Sequence, residues 1–306
     1  MDLKQLRLGF VGAGRLGKAL AWACHAHGLQ VTACASRKPV DAQVLAEQVP
    51  GCEAVDAQTV ADRCDVVFIT TPDGAIASTV DSLRWRPGTR VVHCSGATEV
   101  AALASAERAG ALTGGFHPLQ TFGDSQAAAH SLPGCTITIE APPALDAELV
   151  ALAQTLGCLV NRLPPGARGL YHASAGYASQ FINALIHEAA RMWQSWGASE
   201  DAAVQALLPL VQGTLASIVQ AGVVSGMPGP VSRGDVGSVR KHMVAIQAFD
   251  PVALNLYRQL CERTVQMART QGRISEASAD GLHALLVQQP LERSALSGED
   301  TSSQGV

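Results

Sequence analysis

Two histidines carry the clearest proton chemistry in this chain. His117 lies in Gly114-Gly115-Phe116-His117-Pro118-Leu119, where glycines free the entry to a strand end and proline fixes its exit. A histidine at that edge could donate a proton or orient a carbonyl. A loop histidine bonded only to backbone fits the same pattern. His172 opens a second set, with Gly176, Ser179, Gln180, Asn183 and His187 following at steps of four, three, one, three and four. Those steps place the set on one face of a single helix running from Ala167 to Trp196. Polar groups on so apolar a helix need partners. They mark either a substrate cleft between domains, the reading preferred here, or a helix–helix contact with internal hydrogen bonds. His187 lies two turns beyond Gln180 and reads as structural.

A third candidate is the broken loop from Gly229 to Asp235. Arg233 there is free to grip a carboxylate with its planar fork. Asp235 suits the N-cap of the helix that follows, and Arg240 reads as a solvated cation. Ser95 and Gly96, in the turn His93-Cys94-Ser95-Gly96, are placed to approach a ligand, whereas His93 reads as a satisfied core histidine. Asp73 reads as a helix cap more than a ligand contact.

These groups need a scaffold, and the N-terminus supplies its pattern. An apolar run from Leu6 to Val11 meets Gly12-Ala13-Gly14-Arg15-Leu16-Gly17, which opens a helical pattern to His27. Gly12 permits a tight turn, Gly14 admits a pyrophosphate, and Gly17 allows close helix–strand packing. The helix N-terminus offers free N–H groups to phosphate. After the second strand the chain reads Ala35-Ser36-Arg37-Lys38, a hydroxyl and two cations where an NAD site would carry a carboxylate. That chemistry suits a 2′-phosphate, so the expected cofactor is NADP. Thr71 and Pro72, at the exit of the third strand-like run, should lie against it.

Strand-like runs at about 6–11, 30–35, 66–70, 90–94, 113–116, 136–139 and 159–163 alternate with helical patterns. This is the signature of an α/β Rossmann fold with a doubly wound parallel sheet. After Leu163-Pro164-Pro165-Gly166 only helices are expected, over 167–196, 199–221, 236–248, 251–271 and 276–287. The expected division is an NADP-binding domain over 1–165, an all-α substrate and dimerisation domain over 166–290, and a disordered tail over 291–306. Lys and Arg are scattered and the net charge is −4, which argues against nucleic acid or an anionic membrane as main partner. No apolar run reads as membrane-spanning, and the N-terminus does not read as a signal peptide. The eight cysteines form no C-x-x-C pair, so neither a zinc site nor a disulfide framework is expected, and the cytoplasm is the default compartment.

Gly12–Gly17, Thr71-Pro72-Asp73, His93–Gly96, Phe116–Leu119, Tyr171-His172-Ala173 and Gly229–Asp235 occur in that order. Together they resemble a bacterial family with a Rossmann-like domain followed by a helical domain of unknown function 2520. That family is similar to a wider group including ketopantoate reductase, pyrroline-carboxylate reductase, hydroxyisobutyrate dehydrogenase and deazaflavin-linked NADP reductases. The resemblance implies an NADP-linked reductase, dimeric through its helical domain. It departs from the related ketoacid reductases in lacking a Lys on the first helix after the linker, where His172 is the first proton carrier. Gln180 stands where the family's pattern leads one to expect Asn. The expected reaction is hydride transfer to a small carbonyl or imine bearing a carboxylate, such as ketopantoate. His172 or His117 would supply the proton, Arg233 would hold the carboxylate, and Asn183, Gln180 and Ser95 would bind the substrate. A non-catalytic NADP sensor and a nicotinamide–deazaflavin reductase are the rival readings.

Overall fold

The computed structural model describes residues 3–123 and 132–288. The expected tail over 291–306 lies outside the described residues. The chain divides into two compact units, Met1–Gln180 and Phe181–Val306. The Pro164-Pro165-Gly166 turn falls within the first.

The first unit is built on eight strands: β1 Arg7–Val11, β2 Gln30–Ala35, β3 Glu53–Ala54, β4 Val66–Ile69, β5 Arg90–His93, β6 Leu112–Pro118, β7 Thr136–Glu140 and β8 Leu159–Arg162. Their order in the sheet is β3-β2-β1-β4-β5-β6-β7-β8. The helices are α1 Arg15–Ala26, α2 Pro39–Gln48, α3 Ala57–Arg63, α4 Ile76–Asp81, α5 Ala104–Arg108, α6 Pro143–Thr155 and α7 Arg168–Tyr177. β3 and α3 were not legible as periodic segments. Two residues are too few for an alternation, and α3 is seven residues started by Asp56, whose carboxylate accepts the Thr59 N–H.

Helices cover both faces, which is why the central strands read as unbroken apolar runs. On one face Phe10 stacks on Phe68 and Phe68 meets Phe116 edge-on, with ring centroids 5.1 and 5.8 Å apart. On the other, Val11, Val67, Ile69 and Val91 pack with Ile76 and Leu103. The sheet departs from the all-parallel expectation at one place. β7 runs antiparallel to β6, and β8 runs parallel to β7. The Leu119 N–H bonds the Thr136 carbonyl at 2.8 Å, so β7 starts at the edge where β6 ends and must run back beside it.

The single helix expected over 167–196 is two helices. α7 stops at Tyr177 and α8 spans Gln180–Gln194. The end of α7 tightens to three-residue hydrogen bonds, Ala178 N–H to Ala175 O and Ser179 N–H to Gly176 O, while the Ser179 hydroxyl bonds back to Ala175 O. The spacing from His172 to His187 therefore does not define one continuous face.

The second unit holds the rest of α8 with α9 Glu200–Ala221, α10 Val236–Phe249, α11 Pro251–Thr270 and α12 Glu276–Val287. Ser199, Asp235, Asp250 and Ser275 cap the last four through side-chain oxygens. Val239, Met243, Leu254, Val265 and Leu282 form its core. α9 corrects the expectation that no segment is long and apolar enough for a membrane. Its mean hydropathy reaches 1.6, and by length and composition alone it could cross one. Gln205, Gln212 and Gln220 break the apolar run to the eye but not the average. Only 6% of that stretch is buried.

Gly17→Ala is expected to destabilise the fold. A Cβ there would strike the Gly12 carbonyl oxygen and stand 2.8 Å from the Thr70 Oγ1. The overpacking cost of about 1–3 kcal/mol should exceed the roughly 1 kcal/mol gained in helix propensity. A lowered urea midpoint with unchanged slope is the expected result, and a raised midpoint would refute the close packing.

Candidate active site

The strand order reverses between β1 and β4, and the ends of those strands enclose a crevice, the usual ligand position in open α/β sheets. Gly12 has φ +116°, and a Cβ there would lie 2.6 Å from the Thr70 carbonyl carbon. Only glycine lets the two loops meet, and the Thr70 hydroxyl ties them by bonding Gly12 O at 2.6 Å. The crevice measures about 640 Å³. Gly12, Ala13, Gly14, Arg15 and Leu16 line it, with Ser36, Arg37 and Lys38 from the end of β2 and Thr71 and Pro72 from the end of β4. Gly17 is the one expected cofactor residue that does not line it, because it sits against Gly12.

Three features fit a phosphate-bearing dinucleotide. A Cβ on Gly14 would meet no atom of the described residues within 4 Å, so the backbone there is open to a close ligand. α1 begins at Arg15 without a side-chain cap, leaving its first N–H groups for an anion. The Thr71 hydroxyl is buried in the wall of the crevice without a hydrogen-bond partner among the described residues. Sequence reasoning missed Asp41, which also lines the crevice. It sits in the first turn of α2, where it read only as a helix residue.

A second cavity of about 330 Å³ is lined by His117, His172, Gln120, Thr121, Ser174 and Ser179, among others. Thr121 lines it while Phe122 lines the first crevice, so the two lie side by side along the carboxyl edge of the sheet. The structure thus brings the two expected proton carriers together. Their ring centroids are 5.9 Å apart at 80°. Gly96 explains the approach: a Cβ there would strike His172 Nδ1 and stand 3.0 Å from His117 Cε1 and Nε2. His117 Nδ1 lies 2.7 Å from the Tyr171 hydroxyl. Burial, aided by the charges of His172 and Arg168, pushes the His117 pKa down to about 4 against the pull of Asp73. His172 is exposed.

Beneath them is a residue the sequence reading passed over. Arg168, the first residue of α7, has no exposed surface. Its Nε bonds Glu140 Oε2 and its Nη1 donates to Ser95 O at 2.8 Å. Nη2 lies where a side chain on Gly115 would be, and it has no hydrogen-bond partner among the described residues. The nearby glycine pair and Glu140 were the available signal, but no local pattern links residues so far apart in sequence.

Other expectations change in detail. His93 is fully buried but only half satisfied. Its Nδ1 accepts the Ser95 N–H at 3.2 Å and its Nε2 has no partner among the described residues. Burial and the charges of Arg168 and His117 push its pKa down to about 3. Ser95 Oγ accepts the N–H groups of Ala97 and Thr98, so this hydroxyl shapes its own turn. Asp73 starts a short 3-10 turn that carries no side-chain cap. Gln180, Asn183 and Arg233 do not line the His117–His172 cavity. Gln180 is the last residue of the first unit, and Asn183 and Arg233 belong to the second. Arg233 is exposed in a 3-10 turn closed by Gly234 at φ +74°. Asp235 caps α10, accepting the Ser238 N–H at 2.9 Å, and His187 lies 3.5 Å from Glu200.

The buried histidines set the acid response. Both have folded pKa values below the ordinary histidine value, so the unfolded chain binds more protons between about pH 6.5 and 4. Stability is expected to rise with pH across that window and to be lost as pH falls through it. His117→Gln should flatten the acid side of a pH series of urea midpoints. An unchanged slope would overturn the assignment.

Comparison with known proteins divides the chain earlier than its two compact units do. Residues 1–118 match a Rossmann-like domain, and residues 135–264 match the domain of unknown function 2520. No curated protein matches by sequence. Among solved structures, the chain is similar to a protein from Thermotoga maritima at 22% identity, covering 86% of this chain and 99% of that one with TM-score 0.71. It is similar to a reductive aminase from Aspergillus terreus in complex with NADPH and ethyl levulinate, at 16% identity, 91% and 99% coverage and TM-score 0.61. A pyrroline carboxylate reductase from Plasmodium falciparum with NADP bound shares 12% identity, with 87% and 100% coverage and TM-score 0.58. The chain thus carries a Rossmann-like domain followed by the domain of unknown function 2520.

Proposed function

We propose that this protein is an NADP-dependent oxidoreductase that reduces a small carboxylate-bearing carbonyl or imine, a 2-oxo acid such as ketopantoate being the first candidate. The observation that carries the reading is the pair of adjoining cavities. One is walled by the Gly12–Leu16 loop and Ser36-Arg37-Lys38, the other by His117 and His172. The cofactor would supply the hydride. Gly12–Leu16, Thr71 and the start of α1 would hold its pyrophosphate, and Ser36, Arg37 and Lys38 its 2′-phosphate. The two histidines divide the remaining work. His117, neutral near pH 7, donates a hydrogen bond to the reacting oxygen or nitrogen, and the exposed His172 delivers the proton. The exposed apolar α9 supports self-association through the helical unit, a homodimer testable by sedimentation.

Titration of nicotinamide fluorescence with NADPH and NADH, followed by a panel of 2-oxo acids and imines, tests the reading. Tight NADPH binding with oxidation by one acid supports it. Binding without turnover would favour a sensor, and no nucleotide binding would end the proposal. Replacing Arg37 and Lys38 together by Ala should weaken NADPH by tenfold or more, at about 1.5–3 kcal/mol per lost charged hydrogen bond, and leave NADH nearly unchanged. His172→Ala should lower kcat by about 10²–10⁴ with NADPH affinity intact. A kcat within twofold of the wild type would remove His172 from the reaction.

A further inference from the structure

The last two strands of the sheet begin beside a pair of thiols. Cys135 immediately precedes β7 and Cys158 immediately precedes β8. β7 and β8 run parallel with Thr136 beside Leu159, so the cysteines stand at the next position of the same register. Two backbone bonds bracket them: Leu159 N–H donates to Cys135 O and Gly134 N–H to Gly157 O, both at 2.8 Å. The two Sγ atoms share a hydrogen bond at 3.8 Å. Neighbouring strands lie about 4.8 Å apart, within the Cα separation of about 4.4–6.8 Å that a disulfide accepts. Closing the bond would bring the sulfurs about 1.8 Å nearer with the backbones already at a suitable spacing.

The two sulfurs are not equivalent. Among the described residues Cys135 is the one cysteine of the eight that is not buried, so a small oxidant reaches it first. Cys158 is buried, and its thiol can donate to Cys135 Sγ or to the Leu132 carbonyl at 3.2 Å. Its S–H turned toward Cys135 lowers the Cys135 pKa below the ordinary thiol value, which favours the nucleophilic thiolate at the accessible sulfur. Among the described residues the pair belongs to no group of three or more metal-ligating side chains.

We propose that Cys135 and Cys158 form a redox modification site, in which a hydroperoxide converts the thiol pair to a disulfide that ties β8 to β7. The Cys135 thiolate attacks one peroxide oxygen, the O–O bond breaks, and the other oxygen leaves with a proton as water or alcohol. Cys135 is then a sulfenic acid. Cys158 Sγ attacks Cys135 Sγ, the S–O bond breaks, and hydroxide leaves with the Cys158 proton as water. Two thiols are oxidised by two electrons, and the hydroperoxide is reduced by the same two. The tie acts where the sheet is least supported. β8 is a four-residue edge strand whose Leu159 is 64% exposed, and the chain runs from it through Pro164-Pro165-Gly166 into α7. The site uses neither cavity and stands apart from the oxidoreductase reading.

The test begins with fully reduced wild type, freed of reductant and exposed in its native state to hydrogen peroxide. The protein should lose the mass of two hydrogens. Glu140 and Glu148 lie between the two cysteines, so cleavage after glutamate separates them unless they are joined. The two peptides should stay together until a dithiol is added. Cys158→Ser should instead stop at a Cys135 sulfenic acid that dimedone traps. The cross-linked wild type should melt about 5–10 °C above the reduced form. Peroxide treatment that leaves the two peptides separate overturns the proposal, and so does a cross-link that forms only in urea. An unchanged melting midpoint in the cross-linked protein would overturn the tie between the strands. The wild-type peptides decide even if the variant does not fold.

Discussion

The candidate site is organised around a guanidinium that never meets water. Arg168 reaches from α7 to the Glu140 carboxylate on β7 and the Ser95 carbonyl after β5, and it lies over Gly115 of β6. A buried charge is tolerated only when paired and hydrogen-bonded, so this contact admits few alternative positions for α7. Tyr171 and His172 follow Arg168 by three and four residues on the same helix. Their approach to His117 is therefore set by an ion pair rather than by apolar packing. The same charge helps keep His93 and His117 neutral. One side chain thus aligns the helix and sets the electrostatics of the cavity.

Glycine is the counterpart of this constraint. Gly115 is small because Arg168 occupies the space of a side chain, and Gly96 is small because the two histidines converge there. Gly12 and Gly17 do the same for the meeting of the β1 and β4 loops with α1. Gly14 differs, since its missing Cβ would face open space in the crevice. Four of these glycines serve the protein's own packing and one leaves room for something outside it. Only the structure separates the two uses.

Much of the first unit was legible because its signals are local. Strand runs, the glycine loop and the helix caps depend on residues within one or two turns of each other. The cofactor wall was legible for the same reason: each strand-end segment could be placed at the sheet's carboxyl edge without knowing the strand order. Asp41 escaped because its side chain reaches the crevice from inside a helix. The continuous helix through His172 and His187 failed because a period of 3.6 continues across Ala178 and Ser179 on paper. Tightened backbone bonds end the first helix there. The reversal of β7 was also hidden, since strand direction leaves no mark on an apolar run.

From the sequence alone came the Rossmann class, the order of nearly all the elements and the segments that gather at the sheet edge. Each follows from short-range periodicity, turn chemistry and the need to bury apolar faces. Tertiary structure alone decided that His117 and His172 face one another, that Tyr171 backs His117, and that Arg168 is buried beneath them. Those contacts join residues 28 or more positions apart. Their geometry comes from strand register and from pairing a buried charge, neither of which any local stretch of residues encodes.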